Sequence, residues 1–231
     1  MNLAEVLAPG GKLRAAINLG NPVLAQRFPG SGELGGVSVA LARELAGALA
    51  IDLELQPYDS AARVVEACQG GAWDIAFLAI DPQRARQIAF SDPYIVIEGV
   101  FVVKRDAPWQ RPGELDRPGH RIAVGRGAAY DLHLGRMLRH AELVRVPTSA
   151  EALPHFLEAG LEAGAGIRQP SQAFVASHPG LRFIEEPFME IRQAMAVSIA
   201  RAHAMPALSQ FLRRATELPA IKDALASLAT S

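Results

Sequence analysis

The sequence predicts an α/β protein of two lobes, each a mainly parallel sheet flanked by helices. Short apolar segments alternate between strand-like and helical spacing from Lys12 to Trp73. The alternation restarts beyond residue 120, and 231 residues suffice for two small cores. Short connections in β-α-β-α order imply parallel strands with both faces covered.

Lys12 to Ile17 reads as the opening strand. Leu41, Leu45, Ala48 and Leu49 then recur at helical spacing, and Ile51, Leu53 and Leu55 alternate as in a half-buried strand. Ala61, Val64, Val65 and Cys68 form a second helical stripe, which Gly70-Gly71 is expected to stop. An apolar run around Phe77 follows, and Ile95 to Val103 is the strand that leaves the first lobe. The proline- and glycine-rich stretch RDAPWQRPGELDRPG suits a connection. The second series runs from a strand at Arg121 to Gly125 through a helix from about Ala128 to Arg139 and a strand at Leu143 to Val146. It continues with a helix after Thr148, a strand at Ala163 to Ile167 and a helix opening at Pro170 and Ser171. Ile191 to Ile199 reads as a return strand. The helical stripes at Leu208 to Leu212 and Ile221 to Leu228 are expected to cover the first lobe.

Composition removes several classes of function. With a formal net charge of -1 and 20% charged residues, the chain carries no electrostatic footprint for nucleic acid or an anionic membrane. No apolar stretch approaches the roughly 20 residues needed to span a bilayer, so membrane insertion is not expected. The start, MNLAEVLAPGGKLRAAI, lacks a basic segment followed by an apolar h-region and a cleavage site. Either a leader has been removed or the protein is not exported. Cys68 is the single cysteine, which excludes an internal disulfide; on an apolar helical stripe it is a small core residue rather than a nucleophile. His133 and His140 fall seven apart, too far for a metal pair on one helix, and no metal is expected. There is no P-loop and no G-x-S-x-G elbow. In Gly125-Arg126-Gly127 the third glycine of a dinucleotide fingerprint is replaced by Tyr130, and no cofactor is expected.

The stretch Phe77 to Lys104, FLAIDPQRARQIAFSDPYIVIEGVFVVK, is the most informative in the chain. An apolar run leads into a loop with Asp81, Pro82 and Arg84, then Phe90-Ser91-Asp92-Pro93-Tyr94 and a second apolar run. It resembles the signature of the bacterial extracellular solute-binding proteins of family 3, the polar amino-acid uptake type. Their pattern is a strand, a loop S/T-x-T-P-x-R, a spacer and F-S-x-P-Y. Gly35-Gly36-Val37 before the first helix and Gly70-Gly71-Ala72-Trp73-Asp74 before the signature strand fit the same pattern. The resemblance is strong to about Lys104 and looser beyond.

That resemblance implies a two-lobed periplasmic-binding-protein-like fold of type II. Lobe 1 would comprise residues 1–103 with 194–231 and lobe 2 residues 104–193, with hinge crossings near 102–105 and 192–197. It implies a monomer that captures a small carboxylate-bearing ligand, amino-acid-like or an organic acid, in the interlobe cleft. It implies no catalysis, an ABC permease as partner, and a periplasmic location, although the leaderless start keeps the cytoplasm open. The alternatives are an enzyme on the same scaffold, cyclohexadienyl-dehydratase-like with Glu98 or Asp81 as general acid, and an interaction module that has lost its ligand.

Arg84 occupies the position of the family's arginine, whose paired N–H donors match the two oxygens of a ligand carboxylate. Asp81 stands where the family prefers threonine; an acid there either orients Arg84 or repels a carboxylate. Gly127, Ala128 and Ala129 lie at the strand-to-helix turn where the family presents backbone amides and hydroxyls. The hydroxyls are replaced by alanines, so the backbone amides would have to do more. Arg168 stands where amino-acid binders carry the acid that accepts the α-ammonium. Like charges repel in a desolvated cleft, so an Arg168 that faces the ligand disfavours a standard α-amino acid; otherwise it points to solvent. Glu98 either supplies the missing negative charge or is an exposed strand residue. Asn18, Asn21, Gln169 and Gln193 complete the polar candidates at strand and helix ends.

Overall fold

The computed structural model describes residues 3–229. The chain packs as two compact units, Met1–Ile95 with Arg192–Ser231 and Val96–Ile191. It passes from one to the other inside two strands.

The first unit is built on β1 (Lys12–Asn18), β4 (Asp52–Tyr58), β5 (Ile75–Ala79) and most of β11 (Met189–Ser198). β1 runs parallel to both β4 and β5, and β11 is antiparallel to β5. Period-2 alternation sends successive side chains to opposite faces. Leu13, Ala15, Ile17, Ile75, Phe77, Met195 and Val197 enter one core, with Leu41 and Leu45 of α2 (Val37–Leu49), Leu208 and Leu212 of α7 (Met205–Ala215) and Ile221 of α8 (Pro219–Ala229). Ala16, Ala76, Leu78 and Ala196 enter the other, against Val64 of α3 (Ala61–Gln69) and Trp73. The C-terminal helices thus lie where their stripes predict. Ser60 caps α3 by accepting the Arg63 amide, and Gly71, at φ 62°, turns the chain after it. A short helix, α1 (Leu3–Leu7), and a small hairpin of β2 (Gln26–Arg27) and β3 (Leu34–Gly35) complete the unit. Neither shows enough periodicity to be read from the sequence.

In the second unit β7 (Arg121–Gly125) runs parallel to β8 (Glu142–Val146) and β9 (Ala163–Ile167). β6 (Ile88–Lys104) is antiparallel to β9 and to β10 (Leu181–Phe183). Leu153 and Phe156 of α5 (Ser149–Glu158) fill its core with Val102, Ala123, Leu161 and Leu181. The helices α4 (Ala129–Met137) and α6 (Arg168–Ser177) follow β7 and β9.

Three expectations shift. β6 begins at Ile88, seven residues before the expected Ile95, so Phe90 to Tyr94 lies inside the strand. A strand tolerates Pro93 where the ladder does not need its N–H. The first passage between units falls at Ile95–Val96 rather than near 102–105, because residues 99–104 already pair with β9 and β10. The second falls at Ile191–Arg192. Finally, α6 opens at Arg168 rather than Pro170; Pro170 sits in the first turn, where an N–H has no intrahelical partner to lose.

Candidate functional site

In each unit the candidate residues collect at the C-terminal ends of parallel strands, the edge where open α/β sheets bind ligands. In the first unit Asn18 ends β1, and Asp81 and Arg84 follow β5 in a turn capped by a short 3-10 helix, Arg84–Arg86. Asp81 accepts the amides of Gln83 at 2.8 Å and Arg84 at 3.4 Å. The acid that replaces the family's threonine thus shapes the turn that carries the arginine. Arg84 donates from Nη1 to the carbonyl of Ala79 at 3.0 Å, and Gln193 on β11 is the register partner of that same Ala79. Arg84, Asp81, Gln193 and Asn21 are all at most 5% exposed.

Burial pulls the Arg84 guanidinium down to about 10, and Asp81 offsets only part of that fall. A desolvated cation costs several kcal/mol unless anions compensate. Asn21 is buried and its Oδ1 accepts no hydrogen bond among the described residues, while Asn18 uses its side-chain oxygen to hold the Gly20 amide at 3.0 Å. Asn18 is therefore a turn residue and Asn21 an unmet acceptor.

In the second unit Arg168 begins α6 directly after β9, and register places it level with Glu98, since Gly99 pairs with Ile167. Its Nε donates to Glu98 Oε2 at 2.5 Å. Its Nη2 donates to the Glu185 carbonyl at 2.6 Å, its Nη1 lies 3.7 Å from the Glu185 carboxylate, and the guanidinium sits 5.5 Å over the Phe183 ring. Arg168 therefore does not point into solvent, and it is not an unmatched cation either. Like-charge repulsion of an ammonium presumed an unpaired guanidinium, and two carboxylates remove that premise. The Gln169 side-chain oxygen is buried and meets no hydrogen-bond donor among the described residues.

The glycine turn behaves differently from its expectation. Gly127 holds φ at 69° and donates its amide to Asp131 Oδ2 at 2.8 Å; Ala128 donates to the Gly125 carbonyl at 3.1 Å. Two amides expected to face a ligand thus serve the helix start. Asp131 is buried and is also bound by Arg145 Nε at 2.8 Å. Ala128 caps α4 without a side-chain hydrogen bond, and Ala129 is its first residue.

Glu98 and Asp81 both accept hydrogen bonds from a cation or from backbone amides.

Sequence reasoning missed one charged cluster. Asp74, of the G-x-x-D element, is buried and accepts Arg14 Nε at 2.9 Å, Arg14 Nη2 at 2.8 Å and Arg201 Nη1 at 2.7 Å. Burial pushes its carboxyl up, but the hydrogen bonds from Arg14 and Arg201 outweigh burial and hold it below the usual range. In the F-S-D-P-Y element, Ser91 accepts the Met195 amide at 3.1 Å and Tyr94 shares a 3.3 Å hydrogen bond with Ser38. Burial pushes the Tyr94 phenol up, opposed by that bond. Asp74, Ser91 and Tyr94 are thus structural ties within the first unit.

Among the described residues no group of three metal-ligating side chains occurs, and no helix is long and apolar enough to cross a membrane.

Comparison with solved structures shows the same fold at low identity. An amino-acid ABC transporter substrate-binding protein, AbpA, from Streptococcus pneumoniae, bound to L-arginine, is 20% identical with a TM-score of 0.80, covering 97% of each chain. A putative ABC-transporter binding component from Wolinella succinogenes, complexed with lysine, is 22% identical with a TM-score of 0.78, covering 93% of this chain and 94% of that one. An ancestral amino acid-binding protein, AncCDT-1, a precursor of cyclohexadienyl dehydratase, is 20% identical with a TM-score of 0.79, covering 99% of each. No curated protein matches the chain. The family model of the bacterial extracellular solute-binding proteins, family 3, matches residues 13–228, nearly the full length, including the signature loop. The chain belongs to the bacterial extracellular solute-binding proteins, family 3.

Proposed function

We propose that this solute-binding protein takes a small ligand through its carboxylate and that Arg84 is the anchor. The observation that carries the reading is the place of Arg84: a buried guanidinium on the turn after β5, at the C-terminal edge of the parallel strands and at the position of the family's arginine. A ligand carboxylate matches the paired N–H donors of an arginine in the geometry that guanidinium favours. Asn21 and Gln193, buried polar residues of the same unit, add orientation. Similar structures that hold L-arginine and lysine support an amino-acid-like ligand.

The protein is proposed to act as a monomer, to be exported, and to deliver its ligand to an ABC permease; the family supports these assignments. The two units are proposed to be hinged lobes linked at Ile95–Val96 and Ile191–Arg192, so X-ray scattering should give a smaller radius of gyration with ligand than without.

The direct test is calorimetry after a thermal-shift screen of the L-amino acids and their α-keto analogues. Binding of at least one member is expected, and Arg84→Ala should weaken it by about tenfold or more. Failure of every compound to bind, or an unchanged affinity in a folded Arg84→Ala protein, sinks the assignment.

A further inference from the structure

We infer that Asp81 sets the ligand affinity of the first unit: it is a built-in anion beside Arg84 that stabilises the ligand-free turn and weakens the hold on a ligand carboxylate. The inference rests on the proposed carboxylate-binding function and concerns residues of the first unit alone.

Asp81 has two roles that substitution can separate. The first is geometric. Its Oδ1 accepts the Gln83 amide at 2.8 Å and the Arg84 amide at 3.4 Å, and its carbonyl accepts the Ala85 amide at 2.9 Å. These bonds shape the turn that leads into the 3-10 helix Arg84–Arg86. Aspartate, asparagine and threonine side chains all present an oxygen that can accept such amides. The threonine of the family's loop pattern is therefore able to cap this turn without bringing a charge.

The second role needs the charge. Asp81 and Arg84 are 3% and 2% exposed, and the Asp81 carboxylate favours the charged guanidinium against the burial that pulls it down to about 10. Charges this far from water interact more strongly than the same charges on a surface. Asp81 therefore acts on an incoming carboxylate in two ways. It already matches part of the positive charge that the newcomer would meet, and it repels the newcomer as a like charge in the same turn. Both effects oppose an anion, and both are lost when a neutral oxygen takes its place. In return, a buried cation has an anion at hand before any ligand arrives, which spares the ligand-free protein part of the cost of burying Arg84. An uncharged analogue of the ligand feels neither effect, so Asp81 narrows the preference for a carboxylate over its carboxamide.

The test compares the full-length protein with Asp81→Asn, which keeps an acceptor oxygen for the Gln83 and Arg84 amides and removes the charge. Asp81→Thr is a second neutral variant. The thermal-shift screen is run on all three, and calorimetry then measures the tightest-binding acid of the screen and the carboxamide of that acid. Asp81→Asn should bind the acid about tenfold or more tighter than the unmodified protein does, while its affinity for the carboxamide changes little. Its ligand-free melting temperature should fall by about 4 °C or more. Asp81→Thr should move the same quantities in the same directions. Tighter binding with lower ligand-free stability marks the removal of a competing charge, whereas a residue that only shapes the turn would lose both. An affinity for the acid that is unchanged or weaker in both variants overturns the inference, as does an equal gain for the acid and its carboxamide, or an unchanged ligand-free stability. Each of these results leaves the Arg84 anchor standing, because Arg84→Ala tests it separately. An acid bound only by the neutral variants supports both assignments. Absence of binding by all three proteins overturns the carboxylate reading itself and this inference with it.

Discussion

Arg84 and Arg168 each follow the C-terminal end of a sheet strand, Arg84 in a 3-10 turn and Arg168 at the start of a helix, and their surroundings differ. Arg84 is buried, and Asp81 offsets its desolvation only in part. Arg168 has two carboxylates, a carbonyl and an aromatic face. The same residue type past a strand end is thus proposed as an anion site in one case and is a strut for Glu98 in the other. What an arginine does follows from the charge left over after its neighbours are counted.

The comparison is broken or upheld most directly by a pair of substitutions. With a carboxylate ligand identified by the thermal-shift screen, Arg84→Ala should lose roughly 1.5 to 3 kcal/mol of binding, the range for a charge-assisted hydrogen-bonding pair. Arg168→Ala should cost the α-keto probe less than about threefold, since its charge is already matched. Equal losses from the two variants would show that both arginines face the carboxylate. Because Arg84→Ala leaves Asp81 buried without its cation, the Arg84→Ala, Asp81→Asn double variant serves as the folded control.

The next effect is on stability. Asp74 is a charge fully matched by Arg14 and Arg201, the first unit's counterpart of the Arg168 arrangement. Breaking a buried pair costs roughly 3 to 5 kcal/mol, and the partial exposure of both arginines, 34% and 25%, reduces that to about 2 kcal/mol. Asp74→Asn should lower the urea midpoint accordingly at neutral pH. The folded pKa of Asp74 is depressed, so its contribution is present above the unfolded value, about 3.9, and is lost as pH falls through the folded value. The difference between Asp74→Asn and the unmodified protein should therefore shrink as pH drops below about 4. A difference that is constant with pH would assign the loss to packing.

The smallest effects belong to the neutral ties. Ser91→Ala removes the acceptor of the Met195 amide, and about 1 kcal/mol should be lost. Tyr94→Phe removes only a 3.3 Å bond to Ser38 and keeps the ring against Phe77, so it should cost less, about 0.5 kcal/mol. Equilibrium denaturation reads both. Weakened ligand binding at unchanged stability in either variant would move that residue from the scaffold to the site.

The sequence by itself determined the α/β class, the longer strands and helices, and the loop that carries Asp81 and Arg84, but not the short α1, β2, β3 and β10. Those features rest on local causes: alternation and helical spacing reflect which faces are buried, and Gly70-Gly71 or Ser60 act within one turn of the chain. The signature motif also located Asp74, Ser91 and Tyr94, without showing that they serve the scaffold. Only the tertiary structure decided the partners. Arg201 reaches Asp74 across 127 residues of sequence and Arg168 reaches Glu98 across 70, separations over which periodicity carries no information. The amides of Gly127 and Ala128 likewise were free to face a ligand until Asp131 and the Gly125 carbonyl took them. A residue's formal charge is written in the sequence, but the charge it presents is a sum over neighbours that only folding brings within a few ångströms.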